Sequence, residues 1–117
     1  MPMTPTDFGT ATPIDGYGPG FFRIGGSVWQ GAVLLCEGRI SPWGGLADSD
    51  ALAALADDAD LVLIGMGADI AHPPAALIET VEAAGMRCET MSSPAAARSY
   101  NVLLSEGRRV AVALIPV

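Results

Sequence analysis

Lysine is absent from the chain, and all six basic side chains are arginines. That absence excludes the phosphate-binding lysine of a Walker-type loop, Schiff-base catalysis and a lysine general base. Histidine is nearly absent too. His72 is the only one, which excludes a multi-histidine metal site. The two cysteines, Cys36 and Cys88, stand far apart in apolar, strand-like stretches without metal-type spacing. Free, buried thiols in a reducing cytoplasm are the expectation, and no metal or cofactor is expected. No apolar run reaches the length that spans a bilayer. The opening "MPMTPTDFGTATP" has neither the basic region nor the apolar run of a signal peptide. The sequence therefore predicts a cytoplasmic protein without direct membrane insertion.

Positive charge is scarce overall. Six arginines face thirteen acids, for a net charge of −7. An acidic domain repels phosphate backbones, so nucleic-acid binding is not expected. What is abundant is apolar surface: half of the 117 residues are hydrophobic. That length suits one domain with a single core. The apolar excess also suits a partner or a second copy of the chain, and a homodimer is expected. Phe21 and Phe22 point to opposite faces of one strand, so one can enter the core and leave the other for a helix, the tail or a second subunit.

Residues 1–13 are rich in Pro, Thr and Gly and read as a flexible tail before a domain at 14–117. Two hairpins follow: Phe21–Ile24 with Ser27–Trp29 across Gly25-Gly26, then Ala32–Cys36 with Arg39–Trp43 across Glu37-Gly38. After Trp43 the pattern changes. Asp48 or Ser49 can cap a helix carrying Leu52, Leu55, Ala56 and Ala59. Leu61–Ile64 is a continuous apolar run, as a central parallel strand should be. Pro73-Pro74 opens a helix with Leu77, Ile78, Val81 and Ala84 on its buried stripe, and Gly85 closes it. Arg87–Met91 reads as a strand. Ser93-Pro94 starts a last helix, with Ala96, Tyr100 and Leu103 inward and Gly107 at its end. Arg109–Ile115 is the closing strand. The second half is thus strand, helix, strand, helix, strand, with parallel strands by the crossover rule. The expected fold is a three-layer α/β domain: a mixed central β-sheet flanked by helices, with N-terminal antiparallel hairpins added.

The stretch "LVLIGMGADIAHPP" holds the one suggestive turn. Ligands of open parallel sheets sit outside the carboxyl ends of the strands. Gly65, Met66, Gly67 and Asp69 lie at one such end, and Met91, Ser92 and Ser93 at the next. The dinucleotide fingerprint fails at Ile70, where a third glycine is needed. The alternative use of Gly65 and Gly67 is a sharp turn beneath a packed neighbour. Ser92, Ser93 and Pro94 form either an anion-binding helix start or a plain cap. Arg98, one turn further on, faces that crevice or pairs with Glu89 or Glu106. Trp43 lines the crevice mouth or seals the core. Tyr100 is core with its hydroxyl at the rim, Asn101 bonds a nearby loop, and Glu106 pairs with Arg109 across the helix-to-strand corner. The candidate ligand crevice is therefore Gly65, Met66, Gly67, Met91, Ser92, Ser93, Arg98, Tyr100 and Asn101. No nucleophile, base and orienting acid come together, so no catalytic residue is assigned and enzyme activity is not expected.

Three stretches, "IDGYGPGFFRIGGSVWQGAVLL", "LVLIGMGAD" and "AARSYNVLLSEGRRVAVALI", carry a family likeness. Together they resemble the adipogenesis-associated MTH-like domain family, which includes mitochondrial complex I assembly factor 3. The most specific part is Tyr100-Asn101 followed by Glu106-Gly107-Arg108-Arg109 leading into a strand. The resemblance implies a three-layer α/β fold, no established catalytic activity, and a role in assembling respiratory or other membrane complexes through protein contacts. The alternative is a small-molecule binder or enzyme using the strand-end crevice.

Overall fold

The structure, a computed structural model, describes residues 12–69 and 71–117. The expected tail lies outside the described residues up to position 11. Thr12 is buried, and the carbonyl of the exposed Pro13 accepts from Gly25 N–H.

The N-terminal strands are β1 (Ile14–Gly18), β2 (Phe21–Ile24), β3 (Ser27–Gln30), β4 (Val33–Cys36) and β5 (Arg39–Pro42). There follow α1 (Ser49–Ala53), β6 (Leu61–Gly65), α2 (Ala75–Ala83), β7 (Arg87–Met91), α3 (Ser93–Ser105) and β8 (Val110–Leu114). β1, β2 and β3 form a small antiparallel sheet, and a five-stranded mixed sheet runs β5-β4-β8-β6-β7. β6, β7 and β8 are parallel, while β4 is antiparallel to both β5 and β8. The two expected hairpins thus part company. The second joins the central sheet, and the first stays with β1 in a sheet of its own.

Alternation along the strands builds two cores. Leu61, Leu63, Val110, Val112 and Leu114 face one way and meet Tyr100 and Ala96 of α3 and Phe22 and Ile24 of the small sheet. Val62, Ile64, Ala111 and Ala113 face the other way and meet Leu52, Leu77, Val81 and Trp43. The layers are therefore α1 with α2, the mixed sheet, and α3 beside the small sheet. Right-handed crossovers require this arrangement. The chain steps from β6 outward to β7, then back past β6 to β8, so its two connecting helices take opposite faces.

Phe22 is the ring that enters the core, while Phe21 is half-buried with its ring across Gly18. Trp43 is core, and its Nε1 donates to the carbonyl of Asp48 at 3.1 Å. Both helix ends on the α/β side close in Schellman motifs. Gly85 and Gly107 take left-handed φ of 96° and 77°, and Met86 and Arg108 N–H bond back to Val81 and Leu103. At the corner after α3, Arg109 turns to Asp60, with Nε 3.4 Å from Oδ2, rather than to Glu106. Its Nη2 also donates to the carbonyl of Asp57. The corner is thus fastened to the loop before β6, because β8 pairs directly with β6 and brings that loop alongside.

Candidate functional site

The glycine turn after β6 is held by Ser93. Gly67 N–H donates to Ser93 Oγ at 2.9 Å, and that hydroxyl donates to the carbonyl of Ile115 at 2.5 Å. Ser93 N–H in turn donates to the carbonyl of Gly67 at 2.7 Å. One buried hydroxyl therefore bridges the carboxyl ends of β6 and β8. Gly65 is the counterpart in shape. A Cβ there would lie 2.7 Å from Ser93 Cα and 2.8 Å from Leu114 Cδ2. The glycine admits the first turn of α3 against the strand, and the Gly67 N–H that would face a phosphate is bonded to Ser93.

The other strand-end residues surround this junction. Met66 N–H donates to the carbonyl of Met91 at 2.8 Å. Ser92 caps α3, its side chain accepting from Ala95 N–H at 3.3 Å, with Pro94 in the first helical turn. Gly65, Met66, Gly67, Met91, Ser92 and Ser93 are thus brought together at one end of the sheet. Arg98, Tyr100 and Asn101 are elsewhere. Asn101 clamps the start of β1: its Nδ2 donates to the carbonyl of Ile14 and its Oδ1 accepts from Ile14 N–H, both at 2.9 Å. Tyr100 lies wholly within the core, and burial raises its phenol pKa above the ordinary value. Its hydroxyl has no hydrogen-bond partner among the described residues, so the expected position at the rim is replaced by full enclosure.

Arg98 belongs to a different feature. On the α3 face of the central sheet, α3 lies over β8 and β6 and only grazes β7. The uncovered margin is a groove of about 720 Å³. Leu61 and Leu63 form its floor, and Arg98, Ser99, Val102 and Leu103 its helical wall. Arg87 and Glu89 line the β7 side, and Arg108, delivered by the Schellman turn at Gly107, lines the end. Three of the six arginines thus share one groove with one acid. Arg87 approaches Glu89 only at 3.8 Å, and neither Arg98 nor Arg108 makes an ion pair among the described residues. Val102 stands 56% exposed on its rim. The groove opens near the amino ends of β6 and β7, away from the glycine turn. Sequence reasoning missed it because its cations come from a strand, a helix and a corner. Apart from Arg108 standing next to Arg109, no local spacing links them.

Burial, aided by the Asp58 and Glu37 charges, pushes Cys36 from 9.0 to about 11. Burial and the Glu82 and Glu89 charges push Cys88 to about 11 as well. Both cysteines are free; Cys36 is buried as expected, whereas Cys88 is only half-buried.

Comparison with known proteins agrees with this architecture. An uncharacterized protein of Rhodobacter capsulatus is 57% identical over 110 residues, covering 94% of this chain and 89% of its own length. The crystal structure of an outer membrane protein from Bartonella henselae superposes with a TM-score of 0.81 at 31% identity, over 89% of this chain and 93% of that one. The solution structure of a Mth938-like domain from Bordetella pertussis gives 0.75 at 25% identity, over 99% and 89%. Residues 14–115 match the family described as Protein of unknown function (DUF498/DUF598), and the chain belongs to that family, with the Mth938-like fold.

Proposed function

We propose that this chain is a binding module that works through protein contacts, at the cytoplasmic side of a respiratory or other membrane complex whose assembly it assists. The observation that carries the reading is where the molecule is open. The strand-end junction is occupied by Ser93, while the groove beside β7 offers arginines and apolar surface together. A shallow, open groove suits a macromolecular partner better than a small ligand, which is usually enclosed. The resemblance to complex I assembly factors supports the choice of partner. No helix among the described residues is long and apolar enough to cross a membrane, so contact with such a complex would run through this folded surface.

Pull-down from native membranes and from cytosol, each with the full chain as bait, tests the reading. A reproducible partner in the membrane fraction is expected, and no partner in either fraction removes it. Deleting the gene and measuring NADH-linked respiration tests the narrower respiratory role. Unchanged assembly and activity would remove that part.

The reading includes a homodimer through the small sheet, where Tyr17 and Val28 are about half exposed. Light scattering at micromolar concentration checks it, and a monomer mass rejects it. Phe22 cannot serve as the probe, because its ring is in the core.

A further inference from the structure

β7 is one of the two edge strands of the central sheet, β5 being the other, and pairs only with β6 among the described residues. Its backbone has a definite sidedness. Arg87 N–H donates to the carbonyl of Asp60, and the carbonyl of Met91 accepts from Met66 N–H. Residues 87, 89 and 91 therefore turn their backbone groups toward β6. Strand alternation leaves the N–H and C=O groups of Cys88 and Thr90 on the outer edge. An edge of this kind is a template for another strand. The side chains of Arg87 and Glu89 flank the groove on the same strand, so edge and groove form one continuous surface.

Resting on the protein-contact reading above, we propose that this surface receives an extended acidic segment of a partner protein, laid along β7 as an added strand. Charge complementarity fixes the sign. The chain is acidic overall, yet this groove gathers half of its arginines, and two of them have no carboxylate partner among the described residues. Guanidinium groups pair with carboxylates in bidentate geometry, which rewards a segment carrying Asp or Glu. Glu89 disfavours an acid directly beside it, so the position next to Glu89 takes an uncharged side chain. Apolar side chains on the same face of the added strand face the exposed Val102 on the groove rim. A second copy of this chain would bring its own Glu89 together with its own arginines, whereas an acidic segment meets Arg87, Arg98 and Arg108 with carboxylates alone.

The test uses the full chain, immobilised and panned against displayed random short peptides, beside an Arg98→Glu/Arg108→Glu double variant. Circular dichroism confirms the fold of the variant, and Arg98→Gln/Arg108→Gln replaces it if reversal unfolds the protein. Peptides rich in Asp or Glu should be enriched on the native chain. They should bind the variant about ten-fold or more weakly, as the loss of a charge-assisted pair implies. Bound peptide should slow amide exchange at Cys88 and Thr90. Selection of non-acidic peptides, no selection, or unchanged exchange at those two amides overturns the proposal. So does arginine-dependent binding to phosphatidylglycerol vesicles with no acidic peptide selected. A membrane partner retained equally by native chain and variant would sink the groove while leaving the protein-contact reading intact.

Discussion

The two ends of the central sheet contrast in a way that reverses their appearance in the sequence. At the carboxyl ends of β6 and β8, the glycine turn looks like a ligand motif, yet Gly67 N–H, Ser93 Oγ and the carbonyl of Ile115 are bonded to one another. At the amino ends of β6 and β7, no motif marks the chain, yet three arginines and Val102 stand open above the buried Leu61 and Leu63. The difference lies in what α3 does. Its first turn is pressed onto the strand at Gly65, and its axis then runs over β8 and β6, leaving the β7 margin bare. A glycine required for close packing and a glycine required for a phosphate have the same local signature. Only the identity of the approaching group separates them, and here that group is a serine of the same chain.

The sharpest way to break this contrast is to add one methyl group at the closed end. Gly65→Ala places a Cβ 2.7 Å from the backbone of Ser93, which has no soft neighbour to move. We expect a loss of about 3 kcal/mol in urea unfolding, from overpacking against a fixed helix start. Gly16→Ala, whose Cβ would meet nothing within 4 Å, is the control and should change stability by about 0.5 kcal/mol or less. Equal effects at the two positions would mean that α3 is not pressed onto β6.

The next effect is that of Ser93→Ala. Removing the hydroxyl leaves the Gly67 N–H and the Ile115 carbonyl without this partner, at a cost of about 2 kcal/mol. Thermal unfolding by calorimetry reads it. If the variant were fully stable and gained affinity for inorganic phosphate, the glycine turn would be a ligand site that Ser93 merely covers.

Much of the fold was legible because its punctuation is local. Pro73-Pro74 before α2, Gly85 after it, Ser92 to Pro94 at the start of α3 and Gly107 at its end each act through backbone chemistry within a few residues. β1 was not assigned, since Asp15, Gly16 and Gly18 give a weak strand signal and its pairing depends on β2. The separation of the two hairpins was equally hidden, because β4 joins β8 across most of the chain. The same distance hides the Arg109–Asp60 pair and the groove itself. Arg87, Arg98 and Arg108 become neighbours only after β7 and α3 are placed. The enclosure of the Tyr100 hydroxyl runs against the rule that buried polar groups find partners, so sequence chemistry could not anticipate it.

The two thiols sharpen the comparison across β7. Cys88 lies on the strand that borders the groove, but its side chain takes the α2 face, where burial and two glutamates raise its pKa. For a thiol raised from 9.0 to about 11, the folded state holds the proton more tightly than the unfolded chain. The contribution to stability is full below pH 9 and is lost as pH rises towards 11, because the unfolded state then gains by ionising. We expect the unfolding free energy from urea titration to fall over that window by up to about 2 kcal/mol for the buried Cys36, and Cys36→Ala to flatten the decline. Alkylation of Cys88 by iodoacetamide should be slow at neutral pH. Rapid alkylation would show that β7 is open on both faces, not only on the groove side.

The smallest expected effect is at the open end, and its smallness is the point. Arg98 and Arg108 are exposed and make no ion pair among the described residues, so reversing both charges removes no contact that the fold depends on. Surface substitutions away from such contacts stay within about 0.5 kcal/mol. Arg98→Glu/Arg108→Glu adds negative charge to an already acidic chain, which produces a mild, salt-sensitive loss rather than unfolding. Urea midpoints at low and at physiological salt measure it. A stability change close to that of Ser93→Ala, persisting at high salt, would mean that the arginines brace α3 against β7. The two ends of the sheet would then both be structural, and the groove would no longer stand apart as the surface on which this chain meets a partner.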